Sequence, residues 1–263
     1  MENFLKNKKL FFLDLDGTVY IGNQLISGAK KFINLLSSFG IHYYFLSNNS
    51  SRSKFDYVKK LSHLGINVPT DRIILSTDGV LDFLINRNIK ETYVVGTRSM
   101  IDMFEKAGIN SDSPSPQYIV LGFDTELVYE KLRKAALFLQ KDVPLLATHP
   151  DLVCPTPEGP IPDTGSMLAL FEKATEKKAS KIFGKPNIEM VQHVIQKYGV
   201  TPQEIAMIGD RIYTDMELAN RLKSDFFLVL SGETSAEEAA RLKKKPALIA
   251  KNIGEIAEKL ENM

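Results

Sequence analysis

The feature that most constrains this chain is a phrase repeated along it: a short apolar run, a turn, then a stretch whose apolar residues recur at helical spacing. Strands alternating with helices in this way pack as a mostly parallel sheet with helices on its faces. Leu10 to Leu13 is a compact buried-strand candidate, and Phe32, Leu35, Leu36 and Phe39 then share one helical stripe that Gly40 can close. Ile41 to Leu46 reads as the second strand. Ser51 to Leu64 reads as the next helix, with Phe55, Val58, Leu61 and Leu64 on its apolar stripe and Gly65 at its end. The far end repeats the phrase: a strand ending at Ile182 and Phe183, a helix from Ile188 to Tyr198, strands at Ile205 to Ile208, Phe226 to Leu230 and Ala247 to Ala250, with helices between them. These two end segments read as halves of one open sheet.

Between them the same signals recur on their own. Tyr93 to Val95, Ile119 to Leu121 and Leu145 to Ala147 are strand candidates, separated by helices near Arg98 to Lys106 and Thr125 to Gln140, the latter with Val128, Leu132, Ala135 and Leu139 on one face. The expected fold class is therefore α/β, a doubly wound parallel sheet of residues 1–76 and 179–263 with a second α/β domain, 77–178, inserted into it. Two proline-rich segments mark the insertion, one around Ser113 and one from Cys154 to Gly165. The second reads as a long stiff loop, of the kind that is either functional or a lip carrying the chain over the surface.

With 263 residues the chain can bury a core without staples, so a metal here would serve chemistry. The 33 basic and 32 acidic side chains leave a net charge of +1, which argues against a general nucleic-acid binder and leaves room for a small anionic ligand. Cys154 is the one cysteine, which excludes an intramolecular disulfide and a multi-thiolate site and fits a reducing cytoplasm. Lysines before the first apolar run superficially resemble a signal peptide, but Asp14 and Asp16 break that run and no small-residue cleavage site follows. No stretch approaches the ~18 apolar residues of a membrane span. The expectation is a cytoplasmic protein.

The strongest chemical signal is Asp14-Leu15-Asp16-Gly17-Thr18, directly after the first apolar run. Parallel sheets bind ligands at the carboxyl ends of their strands, where these carboxylates would lie. Gly17 permits the sharp turn that brings backbone N–H groups toward an anion. Ser47-Asn48-Asn49-Ser50-Ser51 follows the second strand, Gly184-Lys185-Pro186 the Ile182 strand, and Gly209-Asp210-Arg211 the Ile205 strand, with Asp215 a helical turn further on. Each fragment alone is an ordinary turn, cap or helix start. Their order, each after a strand, is the specific part. Asp14, Asp16, Asp210 and Asp215 would crowd one lysine, and like charges ~4 Å apart cost ~4 kcal/mol per pair at an effective dielectric of ~20. A cation is required. Without a histidine or cysteine cluster zinc is disfavoured, whereas carboxylates, water and a phosphate suit Mg2+.

Taken in order, these fragments resemble the four motifs of the haloacid dehalogenase-like hydrolase superfamily: DLDGT, Ser47, Lys185 and GDRIYTD. The insertion is similar to the large α/β cap of the NagD-like and nitrophenylphosphatase-like members, as are GTR at Gly96, ATHPD at Ala147 and GKPN at Gly184. The resemblance implies a Rossmann-like core and a phosphatase in which Asp14 is the nucleophile and Asp16 the acid–base group. It further implies Mg2+ held by Asp14, Asp210 and the backbone carbonyl of Asp16, with Asp215 in the outer shell and Lys185 neutralising Asp14. Gly17, Thr18, Ser47, Asn48 and Asn49, with Lys185, would bind the phosphoryl group. His149 and the Asp163-Thr164-Gly165 turn bracket the long proline segment and are the candidates to select substrate; for His149 the competing reading is a histidine that fixes a loop.

His42, His63 and His193 lie in strand or helix patterns and read as structural, Cys154 as packing, and Lys243 to Lys245 as a solvated helix end. The expected partner is a small phosphorylated metabolite, not nucleic acid or membrane, with a cap-to-cap homodimer among the oligomeric states that the resemblance allows. A phosphoryl-transferring mutase is the second reading. A receiver-like signalling domain, which also sets acidic residues, a hydroxyl and a lysine on a parallel sheet, is the rival from another class. The Asp16 position argues against the receiver, because an acid–base group there hastens loss of the phosphoryl group.

Overall fold

The computed structural model of the chain describes residues 3–156 and 158–262. They divide into two compact units, Met1–Ser47 with Val58–Ile74 and Lys185–Met263, and Asn48–Tyr57 with Leu75–Gly184.

The first unit is built on a six-stranded sheet in the order Leu248–Ala250, Asp225–Val229, Ile205–Gly209, Leu10–Asp14, His42–Ser47, Ile73–Leu75. Leu10–Asp14 is buried along its whole length, as a central strand covered on both faces must be. On one face Leu10, Phe12, Leu46, Met207 and Leu228 meet Met190, Val191 and Val194 of the helix Glu189–Tyr198. On the other, Phe11 packs edge-on against Phe32 of the helix Ala29–Ser38, ring centroids 5.6 Å apart. Each such side chain contributes about 1.5–3 kcal/mol by leaving water. Parallel register sets Leu10 beside both His42 and Ile205, and Asp14 beside Leu46. Asp14, Ser47 and Gly209 consequently end three adjacent strands at one edge of the sheet.

The helix expected from Ser51 begins at Lys54. Ser53 caps it: Asp56 Oδ2 accepts from the Ser53 N–H at 2.8 Å, and Ser53 Oγ accepts from the Asp56 N–H at 3.3 Å. Phe55 faces outward, 70% exposed; of the expected stripe Leu61 is buried and Val58 and Leu64 are half-buried, while Tyr57, outside the stripe, is buried.

The second unit holds a four-stranded parallel sheet in the order Lys181–Ile182, Leu145–Ala147, Tyr118–Leu121, Thr92–Val95. The Ile182 strand thus belongs here and not to the larger sheet. The cause is packing: Phe183 is buried with Val80, Leu84 and Val120 and stacks edge-on against Phe83. The long helix runs Tyr129–Gln140, so that Ala135 and Leu139 are buried while Val128, at its N-cap, is 56% exposed. The Cys154 to Gly165 segment is not a loop. It forms an antiparallel hairpin, Val153–Thr156 against Gly159–Pro162, that runs into the helix Thr164–Thr175 capped by Asp163. A two-stranded ribbon has outer edges that tolerate proline's missing N–H.

Candidate active site

In the first unit the carboxyl ends of the central strands carry a dense polar cluster. Asp14, the last residue of its strand, is buried, and its Oδ1 accepts from Lys185 Nζ. Lys185 Nζ also donates to Asp215 Oδ1 at 2.7 Å. Asp215 sits in a widened helical turn, Ile212–Met216, where its Oδ2 accepts the Arg211 N–H at 3.2 Å. Widened turns of this kind recur at functional sites. Carboxylate oxygens of Asp14, Asp210 and Asp215 all lie within 4.8 Å of one another.

Glycines make that density attainable. Gly17 has φ +86°, and a Cβ there would stand 2.5 Å from Asp210 Oδ2. Gly209 has no space either: its Cβ would stand 2.2 Å from Asp215 Oδ2. The loop after Asp14 closes on itself, with the Gly17 N–H donating to Tyr20 O at 2.8 Å and the Val19 N–H to Leu15 O at 2.8 Å. Asp16 rides on this loop, and Tyr20 Oη donates to its Oδ2 at 3.1 Å.

Of three buried carboxylates, Asp14 and Asp215 pair with the one buried ammonium of Lys185, and this imbalance shifts the carboxylate pKa values. Burial pushes Asp210 well above the ordinary carboxylate range, and the charges of Asp14 and Asp215 push it further. Asp215 is raised to about 6, again first by burial, with Lys185 pulling the other way. Burial pulls on Lys185 in the opposite sense, but Asp14 and Asp215 together hold it above the ordinary lysine value. Asp16 is also raised, chiefly by burial, against the pull of Lys60. Asp210 Oδ2 accepts the Glu233 N–H at 2.6 Å, whereas the buried Asp210 Oδ1 has no hydrogen-bond partner. A buried carboxylate oxygen with no donor, among like charges, is the coordination point that a hard cation takes.

The remaining sequence candidates fall in different places. Thr18 is buried on the closed loop with no partner for its Oγ1, and Ser47 is buried at the end of its strand. In the second unit Asn48 is buried; its Nδ2 donates to Asp151 Oδ1 at 3.0 Å and its carbonyl accepts from Ser76 Oγ at 2.7 Å. Asn49 makes a turn, its Oδ1 accepting the Ser51 N–H at 3.0 Å. His149 is wholly buried: Nε2 lies 3.0 Å from Thr164 Oγ1 and 3.4 Å from Asp163 Oδ1. Gly165 packs against the same loop, where a Cβ would stand 2.3 Å from Pro150 O. His149, Asp163, Thr164 and Gly165 thus tie the 148–152 loop to a helix start, and His149 has no face open to solvent.

The sequence reading missed the loop after Asp225–Val229. Ser231 Oγ donates to Gly17 O at 2.7 Å, Thr234 Oγ1 donates to Asp210 O, and Arg211 pairs with Glu233 at 3.0 Å. The signal was present: SGET follows a strand of the larger sheet, as the Asp14, Ser47 and Asp210 fragments do. It also missed Tyr20 and Lys60, whose Nζ lies 3.6 Å from the Tyr20 ring centroid. Among the described residues no helix is long and apolar enough to cross a membrane.

A parallel sheet with helices on its faces and this order of strand-end carboxylates, hydroxyl and lysine defines a class. Residues 11–110 match the haloacid dehalogenase-like hydrolase family and residues 182–256 a HAD-hydrolase-like family. A 4-nitrophenylphosphatase from Thermotoga maritima is similar with a TM-score of 0.92 and 39% identity, over 97% of this chain and 98% of that one. NagD from E. coli K-12 has a TM-score of 0.84 at 26% identity, over 94% and 98%. The acid sugar phosphatase of Staphylococcus saprophyticus is 27% identical over 259 residues, 98% of this chain and 100% of that protein. The chain belongs to the haloacid dehalogenase-like hydrolases. Within them it is a phosphoric monoester hydrolase of the NagD and nitrophenylphosphatase kind.

Proposed function

We propose that the protein hydrolyses small phosphate monoesters through an aspartyl-phosphate on Asp14, with Mg2+ as cofactor, in the cytoplasm. The observation that carries this reading is the buried cluster in which Lys185 bridges Asp14 and Asp215 while Asp210 Oδ1 stays without a donor. Its donor set is all oxygen and net negative, which fits Mg2+. Asp14, Asp210 and the backbone carbonyl of Asp16 would hold the ion, with Asp215 supporting its water shell. Bound there, Mg2+ supplies positive charge to the phosphoryl oxygens.

The chain's own groups do the rest. Lys185 holds one Asp14 oxygen, and the other attacks phosphorus in line as the ester P–O bond breaks. Asp16, whose carboxyl burial pushes above the ordinary range, donates a proton to the leaving alcohol, then takes one from the water that cleaves the acyl-phosphate. Inorganic phosphate leaves and Asp14 is restored. Ser47 and the backbone of Asn48, next in the chain, grip phosphoryl oxygens, with Gly17, Thr18 and Asn49 shaping the loops that carry them. Positioning and charge supply most of the acceleration in phosphoryl transfer, so these groups act as a unit. We assign substrate selection to the second unit, residues 77–178 of the sequence reading. The acid sugar phosphatases among its relatives make sugar phosphates the first class to test.

The test is Asp14→Asn with p-nitrophenyl phosphate. Phosphate release is expected to fall to background while the far-UV circular dichroism spectrum is kept, and EDTA is expected to silence the wild type until Mg2+ is restored. Wild-type-like turnover by Asp14→Asn would sink the mechanism.

A further inference from the structure

Tyr20 is completely buried, and its backbone is pinned to the loop that carries Asp16 from both sides: its N–H donates to Leu15 O at 3.2 Å and its carbonyl accepts from Gly17 at 2.8 Å. A phenylalanine would fill the same space. The hydroxyl is what differs, and it donates to Asp16 Oδ2 at 3.1 Å. Over the ring face, 3.6 Å from its centroid, lies Lys60 Nζ, carried by the helix Lys54–His63. A cation on a phenol face is held by the ring's π electrons and draws density from the ring, which makes the O–H a stronger donor.

We propose that Tyr20, backed by Lys60, is a positioning residue for proton transfer: by donating to Oδ2 of Asp16 it leaves Oδ1 as the oxygen that carries the proton to the leaving alcohol. The chemistry of the donor set supports this. A phenol in contact with a carboxyl group has one proton to give, and a carboxyl oxygen that accepts it acts as the carbonyl oxygen, so the acid proton sits on its twin. Without Tyr20 the carboxyl can turn and present either oxygen. The inference rests on the reading of Asp16 as the acid–base group, and adds the residue that orients it.

The experiment compares two leaving groups. An alkyl ester such as glycerol phosphate must leave as a protonated alcohol, whereas p-nitrophenolate departs without protonation. Values of kcat/KM report the steps up to cleavage of the P–O bond and leave out hydrolysis of the acyl-phosphate, where Asp16 acts as base for both esters. Tyr20→Phe is expected to lower kcat/KM about 10-fold for the alkyl ester and less than about 2-fold for the aryl ester. Lys60→Met, which leaves the phenol in place, is expected to lower the alkyl value about 3-fold with the same selectivity. A general disturbance of the loop would lower both esters alike, so equal falls, or no fall, overturn the role of Tyr20. Asp16→Asn separates the two levels of the argument. Its loss of alkyl-ester activity is expected, and retention of that activity would overturn the reading of Asp16 itself.

Discussion

Replacing Lys185 with methionine removes the one ammonium that bridges Asp14 and Asp215 and leaves a side chain of similar reach in its place. The three carboxylates then face one another within 4.8 Å. At that separation and an effective dielectric of ~20, each ionised pair repels by about 3.5 kcal/mol. Removing one partner of a buried ion pair costs about 3–5 kcal/mol, which in a protein of this size lowers the thermal midpoint by about 5–9 °C. The measurement is thermal unfolding of wild type and Lys185→Met in EDTA, at pH 8 and pH 5. The sign of the pH effect follows from the carboxylates. Asp215 and Asp210 are already raised with Lys185 present, so between the ordinary carboxylate value and their folded values the folded state binds protons that the unfolded chain does not. Stability from these groups therefore rises as pH falls from 8 toward 5. Losing Lys185 widens that window. The deficit should be large at pH 8, shrink at pH 5, and shrink at pH 8 when Mg2+ is added. A deficit equal at both pH values, or none at pH 8, would refute the charge argument.

Two further outcomes follow from single contacts. Gly17→Ala forces a Cβ to 2.5 Å from Asp210 Oδ2 at a backbone φ of +86°, so it should displace Asp210 and weaken apparent Mg2+ affinity by at least about 10-fold, read from activity against Mg2+ concentration. His42 stacks on Tyr198 at 3.9 Å, and burial, then Arg72 and Lys197, lower its pKa. An NMR titration should place it below the ordinary histidine value. Because the unfolded chain protonates first, stability is lost as pH falls from about 6.5 through the folded value, and His42→Phe should flatten that loss.

How much of this was legible in advance divides along a physical line. Apolar runs and helical spacing are properties of a few successive residues, and they were enough to mark the alternating strands and helices and the residues after each strand: Asp14, Ser47, Lys185, Asp210 and Asp215. Their order along the chain carried the class of site: parallel strands bring the ends that carry Asp14, Ser47 and Asp210 to one edge, whereas Lys185 follows a strand of the other sheet and joins through its bonds to Asp14 and Asp215. Other features depend on groups distant in sequence. Phe55 and Val128 fit an apolar stripe by spacing, yet the helices start at Lys54 and Tyr129 and both residues face solvent. The Ile182 strand joins the second unit's sheet because Phe183 finds its pocket there. His149 lies between Asp151 and Asp163 only once a hairpin has folded the chain back. The Tyr20 hydroxyl on Asp16, the Lys60 ammonium on the Tyr20 ring, and the Glu233 N–H on Asp210 likewise have no periodic signature. The sequence by itself determined the α/β class and which carboxylates and lysine would stand at strand ends, because local pattern decides those. Only the tertiary structure decided which carboxylate oxygen is left without a donor and which residues hold the others in place, because hydrogen-bond partners are chosen by proximity in space.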